Sequence, residues 1–490
     1  MRSSRCWRDR NKSLPQWIGI VLNDCSRQLK RVIASSVASR LKLDRLSVPI
    51  FFVLVGVALI TTSVLGGPLS WDGAFYLFQL LDRQFWFLTL YRLINLPFQS
   101  PALFASRFTS NLKILDLIFS LSYASVPMIG LGVSYLICRK RPSLFIWPAL
   151  GICVVGLPGI LLFTSEGMMN VSLSWPLILA TLVGVGVGEF VLVAMLAMAI
   201  LVSHPSSAFF FGLGTVTALV SAKVSRFSRY RYAGAFALGL LCLGRLITPI
   251  TEYERRQLAF STLRTSYKMA VRGFPLALLA LSLLAAILCL REGRRREAKR
   301  RPASDFAADF ALFGAIVCAG LVLVPWAIDP HAWWKALDYR AWFPLASGVL
   351  MGACALDSWR KADRGSLLRQ RQPALIAIGA VFLMVLSLQS LTWLRLTDRL
   401  LDAMRGGGCI SRAGLAWTEQ TPFDHWSTAA YSIVLQERTP HSMVLDGDAC
   451  DEYAADGTVH ILSIHRRRGS GWFDLDQVRP DAQPSTRALR

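Results

Sequence analysis

Residues 67–113 read GPLSWDGAFYLFQLLDRQFWFLTLYRLINLPFQSPALFASRFTSNLK, and the reading of this stretch decides the fold. It lies between two apolar runs, 47–65 and 114–138, each close to the ~20 residues that cross a hydrocarbon core of about 30 Å. The stretch is too polar to cross a bilayer and too aromatic for a plain linker. Phe75, Phe78, Leu81, Phe85 and Leu88 recur at three- or four-residue spacing, which predicts a helix lying in the membrane interface. Asp72 and Gly73 stand just ahead of that run, where an aspartate can cap the helix N-terminus.

Composition agrees with a membrane setting. The 490 residues are 53% hydrophobic and only 17% charged, with a mean hydropathy of +0.44, whereas soluble domains carry about 25% charged residues. The expected fold class is an all-α polytopic membrane protein of about eleven transmembrane helices with a small C-terminal α/β or β-rich domain. The net charge of +22 would suggest nucleic acid in a soluble chain. Here the basic residues cluster in short loops at 139–141, 223–231, 291–301 and 360–371, the positive-inside pattern, so no nucleic-acid partner is expected and the lipid bilayer is. These loops orient the chain: a basic cytoplasmic segment over 1–46, a membrane domain over 47–394 whose long first outer loop is 67–113, and an extracytoplasmic domain over 395–490. Residues 1–46 have no apolar core or small-residue cleavage site of the kind a signal peptide shows.

Further spans are expected at 144–163, 233–250, 275–290, 306–326, 344–356 and 374–394. Residues 174–222 must pass from the outer face to the inner one and are too long for one crossing. Three short spans, 174–187, 189–203 and 206–222, fit, with a turn at Gly186–Glu189 and a break at His204-Pro205. The tail carries turn signals at RGGG, DGDAC and ADGT, and the segments SMVLDG and TVHILSI read as short strands. Of ten cysteines, only Cys409 and Cys450 lie beyond the last span; a disulfide between them is expected if the tail is outside.

The candidate chemistry gathers on the outer face. Asp72 is either a helix cap or a general base held at the membrane surface, where an enzyme acting on a lipid substrate would keep its carboxylate. Asp82 is ten residues on, so no tight acidic pair exists locally. Glu166, in the next outer loop, is the candidate second acid, or a solvated loop residue. Glu189 reads as an end-of-helix acid. His204 is a span terminator or, titrating near neutral pH, a substrate-binding group. Arg255, Arg256, Lys268, Arg272, Lys335 and Arg340 fall in outer loops, where positive charge is disfavoured, so an anionic partner is expected: lipid headgroups or a phosphorylated lipid carrier. Glu252 and His331 accompany them in those loops. No metal-ligand spacing occurs, and there is no P-loop, G-x-S-x-G or H-E-x-x-H signature.

Trp71-Asp72-Gly73 at the exit of the first span, the helix expected over 74–96, and the architecture of 47–490 together resemble the GT-C class of membrane glycosyltransferases. The resemblance implies a polyprenyl-phosphate-linked sugar as donor and an envelope glycan, lipid or protein as acceptor. The basic, bacterial-looking chain leads to the expectation of a bacterial inner membrane, and the loop charges to a periplasmic C-terminus. In that picture Asp72 deprotonates the acceptor hydroxyl, with Glu166 as a second catalytic acid, and outer-loop Arg or Lys holds the donor phosphate; a divalent metal is left open. A lipid-linked glycan flippase or a non-catalytic envelope scaffold is the alternative. An O-antigen-ligase-like transferase centred on His331 and Arg340 is a third.

Overall fold

A computed structural model describes residues 40–70, 72–88, 92–139, 141–155, 164–184, 186–204, 206–224, 228–247, 316, 323–324, 327–329, 343–358, 364–419, 421–423, 427–446, 449–456, 458–461, 464–467 and 471–478. The chain divides into two compact units, Met1–Ile50 and Phe51–Arg490, and the site belongs to the second.

The described residues are mostly helical. Three segments are long and apolar enough to cross a membrane: Leu46–Val64 in α1 (Arg40–Val64), α4 (Leu112–Cys138), and Ala374–Gly406, which covers most of α11 (Arg364–Ala403). Their positions match the apolar runs at 47–65, 114–138 and 374–394. The remaining helices are shorter: α5 (Ile146–Cys153), α6 (Glu166–Val183), α7 (Val187–Leu201), α8 (Ser207–Val224), α9 (Ser228–Ile247) and α10 (Phe343–Ser358). Large apolar side chains point outward from α7 (Val187, Phe190, Met195, Met198) and α9 (Phe236, Ile247), a surface that suits lipid rather than water.

Breaks between α6, α7 and α8 fall near the expected places and have local causes. Gly184 takes a φ of +82°, ending α6, and the Gly186 amide donates to Glu189 Oε2 at 2.7 Å at the head of α7. Glu189 thus marks the turn as expected. The difference is at the start. The helix expected from 174 begins at Glu166, because its first two turns are buried in the protein rather than left as a loop.

α4 and α6 run in the same direction and approach closely. A Cβ on Gly130 would overlap the carbonyl oxygen of Ser172, so only glycine permits this contact. Roughly two turns back along each helix stand Tyr123 and Glu166, and the crossing therefore brings them to one level. Gly379 sets α11 against α1 in a similar way; a Cβ there would lie 3.2 Å from Leu54 Cβ.

The largest departure from expectation concerns α2 (Asp72–Arg83). Its aromatic face predicted an interfacial helix running past Leu88. Instead it ends at Arg83, where Gln84 adopts a φ of +52° and both its amide and its side chain bond Leu81 O. Phe85 and Leu88 fall outside the helix. Residues Gly73 to Leu81 are all buried, so α2 is covered by protein on every side. A second helix, α3 (Asn95–Ala105), follows.

The segment that follows α11 supplies much of that cover. α11 does not stop at 394 but continues to Ala403, keeping Leu396, Leu400 and Ala403 buried. After it come β1 (Gly408–Ser411), α12 (Thr428–Val434), β2 (Ser442–Leu445), α13 (Ala449–Asp456), β3 (Thr458–Ile461) and β4 (Ile464–Arg467). β1 and β2 pair in parallel, with Cys409 opposite Met443 and α12 in the crossover; β3 and β4 form an antiparallel hairpin. The segments SMVLDG and TVHILSI thus supply strands as expected. Cys409 and Cys450 are joined in a disulfide. α12 packs on α2, and its Tyr431 bonds Thr397 of α11 at 2.7 Å.

Candidate functional site

Glu166 is the centre of a buried polar cluster at the head of α6. Its Oε1 accepts from the Tyr76 hydroxyl at 2.6 Å and from Asn95 Nδ2 at 2.9 Å, and its Oε2 from Arg92 Nη1 at 2.7 Å. Asn95 Oδ1 in turn accepts from the Tyr123 hydroxyl at 3.1 Å. Four segments converge: α2 brings Tyr76, the turn before α3 brings Arg92, α3 opens with Asn95, and α4 supplies Tyr123.

The Arg92 and Glu166 side chains are only 8% and 3% exposed, so the ion pair is removed from solvent. Burying two charges costs several kcal/mol each, by order of magnitude, and is sustained only where further hydrogen bonds engage the remaining lone pairs. Tyr76 and Asn95 do that here. Burial pulls the Glu166 carboxyl upward, but Arg92 first, then the Tyr76 and Asn95 hydrogen bonds, outweigh it and hold the group below its ordinary value. Glu166 is therefore a held carboxylate. Burial, then the negative charges of Glu166 and Asp72, push the Tyr76 phenol well above its ordinary value, with Arg92 opposing.

Asp72 opens α2 one turn before Tyr76, on the same face, and its charge reaches that phenol. It is half-buried, unlike Glu166. An acid in the first turn also complements the helix dipole. The neighbouring Gly73 explains the local sequence: a Cβ there would overlap Pro68 O, and would lie 2.9 Å from Thr164 Oγ1. Thr164 itself donates to Pro68 O at 2.7 Å, which ties the head of α2 to the approach to α6. Beside the cluster a small pocket is lined by Pro68, Tyr123, Thr164, Ser165, Met168 and Ser172.

His204 sits between α7 and α8 and joins this neighbourhood indirectly. Its Nδ1 is 2.9 Å from Ser206 Oγ and 3.2 Å from the Ser206 amide nitrogen. Ser206 Oγ accepts from Asn170 Nδ2 at 2.8 Å, and Asn170 lies one turn along α6 from Glu166. Among the expected site residues, Asp72 and Glu166 both act on the Tyr76 phenol, and His204 is linked to α6 through Ser206 and Asn170. Glu252, Arg255, Arg256, Lys268, Arg272, His331, Lys335 and Arg340 lie outside the described residues.

Tyr76, Arg92, Asn95 and Tyr123 are absent from the sequence-based candidates. A signal existed for Arg92: it is a basic residue in a stretch expected to be outer, the feature that singled out Arg255 and its neighbours. Tyr76 follows Asp72 at helical spacing but reads as one more apolar aromatic. Asp116, an acid within α4, also drew no notice; it accepts from Ser120 Oγ at 2.9 Å. Among the described residues no three His, Cys, Asp or Glu side chains come together to hold a metal ion. Comparison with family models, curated proteins and solved structures finds no match to this chain.

Proposed function

We propose that this chain is a GT-C-like membrane glycosyltransferase, moving a sugar from a polyprenyl-phosphate donor to an envelope acceptor at the outer face of a bacterial inner membrane. The reading includes about eleven spans, with the N-terminus inside and the C-terminus outside. The observation that supports it is the contrast between two neighbouring carboxylates. Glu166 is buried with both oxygens engaged, whereas Asp72 keeps partial exposure at the head of a helix the protein encloses.

In this reading Asp72 takes the proton of the acceptor hydroxyl as its oxygen attacks the anomeric carbon. The bond from that carbon to the phosphate oxygen breaks, and the electron pair leaves with the polyprenyl phosphate. Glu166 is a positioning residue: through Tyr76 it fixes the turn of α2 that carries Asp72. Arg255, Arg256, Lys268, Arg272, Lys335 and Arg340 are assigned to the donor phosphate on sequence grounds, as guanidinium and ammonium groups suit it.

The test is the envelope glycan and glycolipid composition of cells lacking the protein, complemented with wild type or Asp72→Asn at matched membrane levels. Loss of a sugar that only wild type restores supports the transferase. Full rescue by Asp72→Asn makes Asp72 a helix-terminal group and favours the flippase or scaffold reading.

A further inference from the structure

The helix that carries Asp72 is held at both ends. At its head Tyr76 bonds Glu166. At its foot Asp82 Oδ1 accepts the backbone amides of Trp472 at 3.0 Å and Phe473 at 3.4 Å. Successive amides converging on one carboxylate oxygen form a small anion cradle. Gly471 makes it: its φ of +86° is a conformation side chains avoid, and a Cβ there would overlap Asp82 Oδ1. The Phe473 ring, fully buried, stacks on Phe78 of α2 with centroids 5.1 Å apart.

Residues 471–478 are in turn fixed to the C-terminal domain. The Tyr453 hydroxyl, on α13, lies 3.0 Å from the carbonyl oxygens of both Leu475 and Val478. Arg438 Nε donates to Trp472 O at 2.8 Å, and the Asp474 amide donates to Arg438 O at 2.9 Å. α13 also carries Cys450, bonded to Cys409 of β1, and β1 follows closely on α11. An unbroken series of contacts therefore runs from the disulfide through α13 and residues 471–478 to α2.

We propose that residues 471–478 are a strap that clamps α2, so that the C-terminal domain, closed by Cys409–Cys450, sets the position of Asp72 and Tyr76. α2 has 12 residues and is about 18 Å long, short enough to move as one rod. Releasing the foot removes one of the two anchors that fix the head. Asp82 is a positioning residue, and the coupling holds whatever reaction Asp72 serves.

Hydrogen exchange read by mass spectrometry on the full chain in lipid nanodiscs tests this. Asp82→Ala should speed exchange tenfold or more in peptides covering 471–478 and also in those covering 74–81. Replacing both cysteines, Cys409→Ser with Cys450→Ser, should do the same, as should treating the wild type with dithiothreitol. Asp82→Asn, which keeps an acceptor oxygen without the charge, should give a smaller rise in both segments. Asp451→Asn, on the exposed side of α13, should change neither. If 471–478 loosens while 74–81 keeps its wild-type exchange, the strap does not position α2 and the proposal fails. Should Asp82→Ala not accumulate, the reduced wild type and Asp82→Asn decide by the same criterion.

Discussion

Arg92 Nη1 lies 2.7 Å from Glu166 Oε2, an ion pair across 74 residues that joins the segment after the first span to the head of α6. Both partners are buried, so removing either one alone takes a buried charge's ionic partner away. Arg92→Ala and Glu166→Ala should each cost about 3–5 kcal/mol, and the pair Arg92→Met with Glu166→Leu clearly less than their sum. Unfolding temperatures in detergent micelles measure this; additive losses would show that the two groups do not depend on each other.

The same pair predicts acid sensitivity. Arg92, Tyr76 and Asn95 together hold the Glu166 carboxyl below its value in the unfolded chain. A depressed folded value contributes stability that is fully present above the unfolded value, about pH 4.3, and is lost as pH falls through the folded value. Wild-type unfolding temperature should therefore drop more steeply below about pH 4.3 than that of Glu166→Gln, which has nothing to titrate. Parallel curves would show that the depression is absent.

Gly73→Ala should be among the most damaging small substitutions in the chain, since its methyl overlaps the Pro68 carbonyl. Membrane yield after mild detergent extraction should fall sharply. Thr164→Val removes only the hydrogen bond to that carbonyl and should cost about 1–3 kcal/mol. Equal yields for the two variants would contradict the close approach.

On the proposed transferase reading, Asp72→Asn should lower glycan transfer roughly 10²–10⁴-fold, the range for loss of a general base, with little change in unfolding temperature. Tyr76→Phe should lower both, because its hydroxyl ends on the buried Glu166 carboxylate. A transfer assay on inverted and right-side-out vesicles, beside thermal unfolding, separates the two roles.

Cys409 and Cys450 enclose a 41-residue separation, which in the chain-entropy account corresponds to about 4 kcal/mol of stabilisation. Cys409→Ser should make the tail the first part of the chain cut by a protease added from the tail's side. Resistance equal to wild type would place the tail's stability elsewhere.

Much of this architecture was legible from residue order alone. Apolar runs located α1, α4 and the apolar part of α11, because a lipid-sized stretch without charges leaves few alternatives in water. Glycine, proline and Glu189 located the breaks around α7, since those signals act within one or two residues. The position of Cys409 and Cys450 beyond the last apolar run named the disulfide pair. Asp72 was placed at the start of its helix for the same local reason.

What covers α2 was decided only by the tertiary structure. Periodicity reveals an apolar face but not whether lipid or protein meets it, as both are apolar; Phe473, α12 and the Glu166 cluster turned out to bury Phe75 through Leu81. Glu166 looked like a loop acid because its partners Tyr76, Arg92 and Asn95 are remote in sequence and individually ordinary. Asp82 had no visible partner because its donors are backbone amides at 472 and 473, which every residue but proline carries. Sequence by itself determined elements whose causes are local: the three long apolar helices, the breaks around α7 and the start of α2. The polar cluster and the strap exist only where distant segments meet, and that meeting is set by packing.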